Sequence, residues 1–268
     1  MIVELARLDQ VRSACGDDDL LMWAAQGLSG GVRAWALGDG VVVASPGVSR
    51  RDRLAVWGGA ACVTDLVRHA LAEVGPSYRP FGDVELMADV TVKLAGVEAA
   101  DTFCWMSLPG LPAPAPDAAP DAGAVTSTGA VTGHLDASRG GWLGPESDAE
   151  VAGLLAAAAP QSYAVPGMAG VRRWAGVWMD EALEGRALAA VAADAWSAPS
   201  VGFLAGVATA ARFRGRGLAE RLCRWVSGEL VAARGRAALM VDDGNLAAIR
   251  VYERIGYRRR AVMASRAV

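Results

Sequence analysis

The stretch VATAARFRGRGLA joins a strand of small residues to an amphipathic helix. Gly215 and Gly217 stand where that helix begins, and Arg212, Arg214 and Arg216 alternate with them. The first turn of a helix leaves backbone N–H groups unpaired at the positive end of the helix dipole. Glycine lets an anion approach those groups closely, and arginine adds positive charge. The stretch is therefore either a phosphate-binding turn or a plain glycine-rich connection with solvated arginines.

The turn differs from two common nucleotide-binding motifs. It lacks the Gly-x4-Gly-Lys-Ser/Thr pattern of a Walker A loop. It also fails the G-x-G-x-x-G dinucleotide pattern, because Glu220 occupies the last glycine position. Any phosphate-binding function must therefore be supported by residues elsewhere in the chain.

A second segment, NLAAIRVYERIGYR, places Asn245, Ala248 and Tyr252 at positions i, i+3 and i+7. This spacing puts the three side chains on one face of a helix. A phenol in a partly dry site can donate a proton or a hydrogen bond to developing negative charge. The alternative for Tyr252 is a core aromatic residue whose hydroxyl finds a backbone partner. Between the two segments, the pattern predicts an amphipathic helix and a short buried strand.

Together, these segments resemble the GNAT superfamily of acyl-CoA-dependent N-acyltransferases over about residues 134–268. The family's R/Q-x-x-G-x-G/A pattern falls on Arg212, Gly215 and Gly217. Its N-x-x-A-x-x-x-Y-x-x-x-G-F/Y pattern falls on Asn245, Ala248, Tyr252, Gly256 and Tyr257. This half of the chain is most similar to the branch that includes glycine-N-acyltransferase-like enzymes. The resemblance implies an α/β (α+β) GNAT fold, with a mixed, mostly antiparallel sheet flanked by helices in two lobes.

The resemblance also implies an N-acetyltransferase that uses acetyl-CoA and acetylates the amine of a small molecule or peptide by direct attack on the thioester. The alternative is a catalytically silent acyl-CoA-binding sensor or interaction module. Tyr252 is expected to be the general acid for the departing thiolate. The residues expected to bind coenzyme A are Val207, Thr209, Arg212, Phe213, Arg214, Gly215, Arg216, Gly217, Leu218, Asn245 and Ala248.

The attacking amine must lose a proton, and the sequence leaves the base unassigned. Many relatives carry a glutamate on the strand before the glycine turn, where this chain has Phe203. Asp194, on the preceding strand, and Asp242 or Asp243, after ALMV, are the candidate substitutes. A chain of water molecules is the other route for the proton.

The clearest change of composition is LPGLPAPAPDAAPDAGA, a Pro/Ala-rich stretch that favours an extended spacer. It predicts an N-terminal α/β domain over residues 1–107, a linker over 108–133 and a GNAT domain over 134–268. A long exposed loop within one domain is the alternative. The N-terminal domain has a compatible order of elements but neither motif, which predicts a degenerate GNAT-like unit. Such a unit would shape the acceptor pocket or form a homodimer contact.

Within the N-terminal part, the pattern predicts a helical start over residues 4–28, a hairpin at GDG and a helix in ACVTDLVRHALAEVG. The segments DVELMADVTVKL and DTFCWMSL are interpreted as strands. No catalytic constellation is evident in this N-terminal part of the sequence.

The composition of the chain excludes several other classes of function and location. The 268 residues have a formal net charge of −3, which gives no indication of general nucleic-acid binding. Four scattered cysteines and two histidines predict no metal site and a reduced, cytoplasmic compartment. No signal peptide is evident, and prolines interrupt the one long uncharged stretch, so no membrane span is expected. The excess of Arg, Ala and Gly suggests a bacterial source.

Overall fold

The computed structural model describes residues 1–110, 140–181 and 185–267. Most of the predicted linker lies outside these residues, and the domain boundaries stay a prediction. The strands are β1 (Val3–Glu4), β2 (Arg33–Leu37), β3 (Gly40–Val48), β4 (Arg51–Trp57), β5 (Arg79–Asp83), β6 (Val97–Leu108), β7 (Gly140–Trp142), β8 (Val171–Glu181), β9 (Gly185–Ala195), β10 (Gly202–Thr209), β11 (Ala237–Asp242) and β12 (Arg258–Ala267). The helices are α1 (Leu8–Ala14), α2 (Asp19–Ala24), α3 (Ala60–Val74), α4 (Val84–Lys93), α5 (Asp148–Ala158), α6 (Leu218–Arg234) and α7 (Leu246–Arg254).

The described strands form one sheet of twelve, in the order β1-β2-β3-β4-β5-β12-β6-β11-β10-β9-β8-β7. Only the pairs β4–β5 and β10–β11 are parallel, and the other pairs are antiparallel. Helices α1, α2 and α5 pack on one face. The other face is covered by α3 and α4 in the N-terminal half and by α6 and α7 in the C-terminal half. The predicted mixed, mostly antiparallel sheet flanked by helices is confirmed.

The two halves of the chain repeat one order of elements. In the N-terminal lobe, residues 1–110, the order is β2-β3-β4-α3-β5-α4-β6. In the C-terminal lobe, residues 140–267, the order is β8-β9-β10-α6-β11-α7-β12. In both lobes a helix joins the only two parallel neighbours, as a crossover between parallel strands requires.

The last strand of each lobe pairs with the other lobe. Strand β12 lies between β5 and β6, and β6 lies between β12 and β11. The register is close to symmetric about the pair Val262 of β12 and Phe103 of β6. On the N-terminal side, Val262 also pairs with Asp83 of β5. On the C-terminal side, Phe103 also pairs with Asp242 of β11. The two strands β6 and β12 therefore complete the sheets of both lobes at once.

Most predicted elements of the N-terminal lobe are present, with one error. The hairpin at GDG and the helix α3 are confirmed, and DTFCWMSL lies within β6. The helical start is divided into two short helices, α1 and α2. The strand predicted at DVELMADVTVKL is wrong, because this segment forms α4. The Asp83 side chain caps it by accepting a hydrogen bond from the Glu85 amide, and Met87 and Val90 are buried at helical spacing.

Among the described residues, no helix is long and apolar enough to cross a membrane. The four cysteines are all free thiols; Cys15, Cys104 and Cys223 are buried, and Cys62 is half-buried.

Replacing Val262 by alanine should destabilise both lobes together, because the fully buried Val262 lies on the strand that they share. Loss of two buried methyl groups should lower the free energy of unfolding by about 2 kcal/mol. Urea unfolding followed by tryptophan fluorescence and by far-UV circular dichroism should give coincident curves. The control Val92→Ala, at an 88% exposed position of α4, should change stability by less than about 0.5 kcal/mol. Separate transitions in the Val262 variant would contradict the shared-strand interpretation.

Candidate active site

The site begins where two parallel strands separate. Strands β10 and β11 pair only at Gly202–Ala237 and Phe203–Ala238. Beyond Phe203, the edge of β10 that faces β11 has no partner among the described strands, so its backbone polar groups are available to another molecule. The sheet of the C-terminal lobe therefore has a gap between β10 and β11 beyond these two pairs.

A bulge in β10 accompanies this gap. The pairing of β10 with β9 shifts register between Ala205 and Ala208. Gly206 lies in the bulge with φ +61°, and a Cβ there would lie 2.5 Å from the ring of Trp174. Only glycine satisfies both constraints, and a bulge of this kind turns a strand away from its neighbour.

The glycine turn follows directly on β10. Gly215 and Gly217 have φ values of +76° and +70°, and Gly217 is the N-cap of α6 in the left-handed conformation. The helical hydrogen bonds begin when the Arg221 amide donates to the Gly217 carbonyl. The preceding amides at the start of α6 lie outside this ladder. Two buried side chains, Phe213 and Leu218, fix the turn to the core beneath α6.

The three arginines of the turn have different environments. Arg214 folds back and donates to the carbonyls of Thr209 and Ala158, at 3.3 and 3.5 Å. Arg212 and Arg216 lie over the ring of Phe213, with guanidinium carbons 5.0 and 5.3 Å from its centroid. Arg214 thus stabilises the shape of the turn, whereas Arg212 and Arg216 place positive charge on its exposed side.

Helix α7 is held beside the start of α6 by an ion pair. Glu220, in the first turn of α6, accepts from Arg254 at 2.8 Å and from Arg224 at 3.4 Å. Hydrogen bonding to Arg254 is the main reason why the pKa of Glu220 is lowered. Asn245 caps α7 by accepting from the Ala248 amide at 3.2 Å. The amide oxygen of Asn245 is therefore engaged in the fold.

Two tyrosines of this region differ in their hydrogen bonding. The Tyr257 hydroxyl bonds Ser227 at 2.8 Å, whereas the Tyr252 hydroxyl has no hydrogen bond to a described residue. The rings are 5.9 Å apart, edge to face, in the core beneath α6 and α7. Burial raises the pKa of Tyr252 well above its usual value. Tyr252 is therefore a neutral phenol at pH 7 whose hydroxyl makes no hydrogen bond within the described part of the chain.

Phe203, the position where the resemblance led us to look for an acid, is apolar and closed. Phe203 stacks on Trp23 of α2 at 4.8 Å between ring centroids and lies 5.9 Å from Trp105 of β6. All three rings are almost fully buried. The N-terminal lobe thus covers this part of β10 with two of its own tryptophans.

The three candidate bases are all engaged in hydrogen bonds. Asp194 is buried and accepts from Ser197 at 2.5 Å and from Arg173 at 3.3 Å. Asp242 accepts from the Gly244 amide at 2.7 Å, and Asp243 accepts from the Cys104 thiol at 3.1 Å. Asp194 belongs to the fold, because Ser197 in turn accepts from the Phe203 amide. Asp242 and Asp243 remain at the C-terminal end of β11, beside the gap.

The structure brings most of the predicted residues to one place. Val207 and Thr209 lie half-buried on the separated part of β10, and the turn and the start of α7 lie at the ends of β10 and β11. The roles assigned to these residues stay predictions. The sequence analysis missed Gly206, for which the signal was an isolated glycine inside a strand pattern.

Comparison with known proteins supports the same region. Residues 183–265, which extend from β9 to β12, match the FR47-like protein family. A search of curated protein sequences finds no match.

Solved structures resemble the whole chain. A GCN5-related N-acetyltransferase from Kribbella flavida is 19% identical with a TM-score of 0.55, over 91% of this chain and 93% of that one. A second one, from Sphaerobacter thermophilus, is 15% identical with a TM-score of 0.53, over 99% and 95%. A Drosophila protein is 11% identical with a TM-score of 0.56, over 100% and 98%. At these identities the likeness shows the fold, and the predicted GNAT fold is confirmed.

Replacing Asp194 by alanine should lower the free energy of unfolding by about 2 kcal/mol, because Ser197 and Arg173 lose a buried acceptor. Urea unfolding is the measurement. Asp65→Ala is the control, since Asp65 pairs with Arg68 at a 60% exposed site and should contribute less than about 0.5 kcal/mol. An unchanged midpoint for the Asp194 variant would show that this carboxylate is not structural and would make it a candidate base again.

Proposed function

We propose that the C-terminal lobe binds acetyl-CoA in the gap between β10 and β11 and transfers its acetyl group to an amine of a small molecule or peptide. The main support is the separation of these parallel strands beside a helix capped by a left-handed glycine. A gap lined by free backbone groups suits an extended amide-containing arm, and the adjacent helix N-terminus suits a pyrophosphate.

The glycine turn fits a phosphate group sterically. Apart from their neighbours in the chain, no atom of the described residues lies within 4 Å of the positions that a Cβ would take at Gly215 or Gly217, so the space outside the turn is open. The amides from Phe213 to Leu218 would bind the pyrophosphate, together with Arg212 and Arg216. On β10, the backbone of Val207 and Thr209 would pair with the pantetheine arm. Asn245 would face that arm with its amide nitrogen, and Ala248 would leave room beside it.

Tyr252 would act on the leaving group. Acetyl-CoA, when bound, supplies a thioester carbonyl that a neutral amine can attack, so that an N–C bond forms and the C–S bond breaks. The amine releases a proton, and the departing sulfur accepts one. Tyr252 stays protonated at neutral pH and would donate a hydrogen bond or a proton to that sulfur. Asp242, Asp243 or a chain of water molecules would accept the proton of the amine.

The N-terminal lobe would have lost the equivalent site. Past the last parallel pair of β4 and β5, a Cβ on Gly82 would lie 2.8 Å from Val56, so these strands remain in contact where β10 and β11 separate. At the start of α3, the Asp39 carboxylate lies 2.6 Å from the position of a Cβ on Gly59. An anion would meet this charge, so we infer one cofactor site per chain and a degenerate GNAT-like N-terminal lobe.

The alternative function is binding of acyl-CoA without acetyl transfer. The two functions differ in the role of Tyr252, which is catalytic only in an enzyme. A silent binding module has no use for an unpaired phenol at this position. The placement in the glycine-N-acyltransferase-like branch, the bacterial and cytoplasmic setting and a homodimer stay predictions.

Gly217→Asp should abolish the thermal stabilisation by acetyl-CoA, whereas Gly217→Asn should retain most of it. Both residues tolerate the left-handed conformation and have the same shape, so they differ only in charge at the turn. For the unchanged protein, acetyl-CoA at about one hundred times its Kd should add about 2.7 kcal/mol, a rise of several degrees in Tm. The measurement is differential scanning fluorimetry with acetyl-CoA, coenzyme A and ATP. Equal stabilisation of both variants would contradict a pyrophosphate at this turn.

Tyr252→Phe should lower kcat for acetyl transfer by about 100-fold and leave the stabilisation by acetyl-CoA unchanged. The matched control is Tyr257→Phe, which should cost about 1 kcal/mol of stability through the lost bond to Ser227 and leave kcat within about twofold. The assay follows thiol release with a library of amines. Turnover by the Tyr252 variant at the original rate would remove this residue from the mechanism.

A further inference from the structure

An arginine of the N-terminal lobe is buried without a counter-charge. Arg53, on β4, is only 7% exposed. Its Nε donates to the Val48 carbonyl at 3.0 Å, and its two terminal nitrogens make no hydrogen bond or ion pair with a described residue. Arg53 lies against two rings, 5.9 Å from the centroid of Trp23 and 5.3 Å from that of Phe81. A buried charge that is neither paired nor fully hydrogen-bonded is costly.

The surroundings of Arg53 are positive as well. Burial lowers the pKa of Arg53 to about 10; nearby Tyr163 opposes this shift, and Arg51 and Arg79 add to it. Arg79 is also the register partner of Arg53 on β5. At neutral pH the guanidinium still carries its charge. Arg53 pairs with no acid among the described residues, and its repulsion with Arg51 and Arg79 makes this place selective for an anion.

An open cleft lies beside Arg51 and Tyr163, two residues that interact electrostatically with Arg53. Its volume is about 350 Å³, and its lining comes from both lobes: Arg50, Arg51, Pro160, Gln161, Ser162 and Tyr163. The Arg51 guanidinium donates to the Tyr163 hydroxyl at 3.1 Å, which joins the β3–β4 turn to the loop after α5. This hydrogen bond fixes the Arg51 guanidinium and the Tyr163 hydroxyl at the wall of the cleft.

The turn that carries these arginines is strained. Ser49 and Arg50 form the two-residue connection between β3 and β4, with φ values of +51° and +63°. Such turns normally use Asn-Gly or Asp-Gly, and a side chain in the left-handed region costs about 1 kcal/mol. The chain thus tolerates strain in the turn that brings Arg50 and Arg51 to the cleft.

Trp23 connects this arginine to the transfer site. The Trp23 ring contacts the Arg53 guanidinium. It also stacks on Phe203, the last residue of β10 before the gap opens. Arg53 therefore lies on the α2 and α5 face of the sheet. The glycine turn is fixed on the opposite face, in the core beneath α6. The two positive sites are thus separate, and an anion at Arg53 is not the pyrophosphate.

We propose that the arginines of the N-terminal lobe, Arg51 and Arg53, bind a carboxylate of the acceptor, so that the substrate is an amine that also bears a carboxylate, such as an amino acid. The proposal rests on the acetyl transfer proposed above and names the class of its acceptor. Arginine donates two parallel hydrogen bonds to a carboxylate, and burial strengthens such a pair. The degenerate lobe would thus select the acceptor for the lobe that holds the cofactor.

The experiment compares each amino acid with its own C-terminal amide, at equal concentration. Thiol release from acetyl-CoA gives turnover, and differential scanning fluorimetry with the N-acetylated acids and N-acetylated amides, without acetyl-CoA, gives binding. At least one acid should be acetylated, with kcat/KM at least tenfold above that of its amide. The matching N-acetylated acid should raise Tm, and its amide should not.

Arg53→Met and Arg51→Gln should each reduce the preference for acids over amides to less than about twofold. Neither variant should change the stabilisation by acetyl-CoA. Arg53→Met should also raise Tm of the unliganded protein, since it removes a buried unpaired charge. Arg68→Gln is the control, because Arg68 is an exposed arginine of the same lobe that pairs with Asp65. The Arg68 variant should prefer acids over amides as strongly as the unchanged protein does.

Each other outcome contradicts the inference. Amides that react as well as acids, or a preference for acids that survives in both variants, would exclude recognition of a carboxylate by these arginines. An equal Tm rise with inorganic phosphate would indicate a phosphate site instead, and no effect of any acid would reject the substrate class. Failure of acetyl-CoA to stabilise the unchanged protein would be a distinct result that rejects the proposed function.

Discussion

The antiparallel pairing of β6 with β12 is the interaction on which the rest of the structure depends. Each of these strands is the last element of its own lobe, and each also pairs with the fifth strand of the other lobe. Without this exchange, β5 and β11 would each have an unpaired edge. Because β6 and β12 are shared, the positions of α2 and of the tryptophans Trp23 and Trp105 are fixed relative to β10. The lobe interface and the candidate site are therefore parts of one structure.

The two lobes share one order of elements but differ in how far their parallel strands stay in contact. Where β10 and β11 separate after two residue pairs, β4 and β5 stay in contact as far as Gly82. One lobe therefore has an opening between strands, and the other has a closed sheet with a carboxylate at the start of its helix. This difference in a few backbone contacts fits the proposed division of roles, with the cofactor in one lobe and acceptor recognition in the other.

The sequence predicted those features that rest on local patterns. The glycine turn, the amphipathic helix α6 and the single face of α7 follow from residue spacing within short segments, and the structure contains them. The helix α4 was mispredicted because its β-branched residues resemble a strand, while its cap depends on one aspartate. The exchange of β6 and β12 was not predictable, because it joins residues more than a hundred positions apart. For the same reason, the buried state of Arg53 gave no signal in the sequence.

The order in which the chain is synthesised adds a consequence of the shared strands. The slot between β5 and β6 is filled by β12, the last described strand of the chain. On the ribosome, the N-terminal lobe therefore emerges complete in sequence but incomplete in pairing, with unpaired backbone on both sides of that slot. Such distant contacts slow folding and expose strand edges in the meantime. The N-terminal lobe can therefore complete its sheet only after β12 has been synthesised, and until then the edges of β5 and β6 are exposed to aggregation.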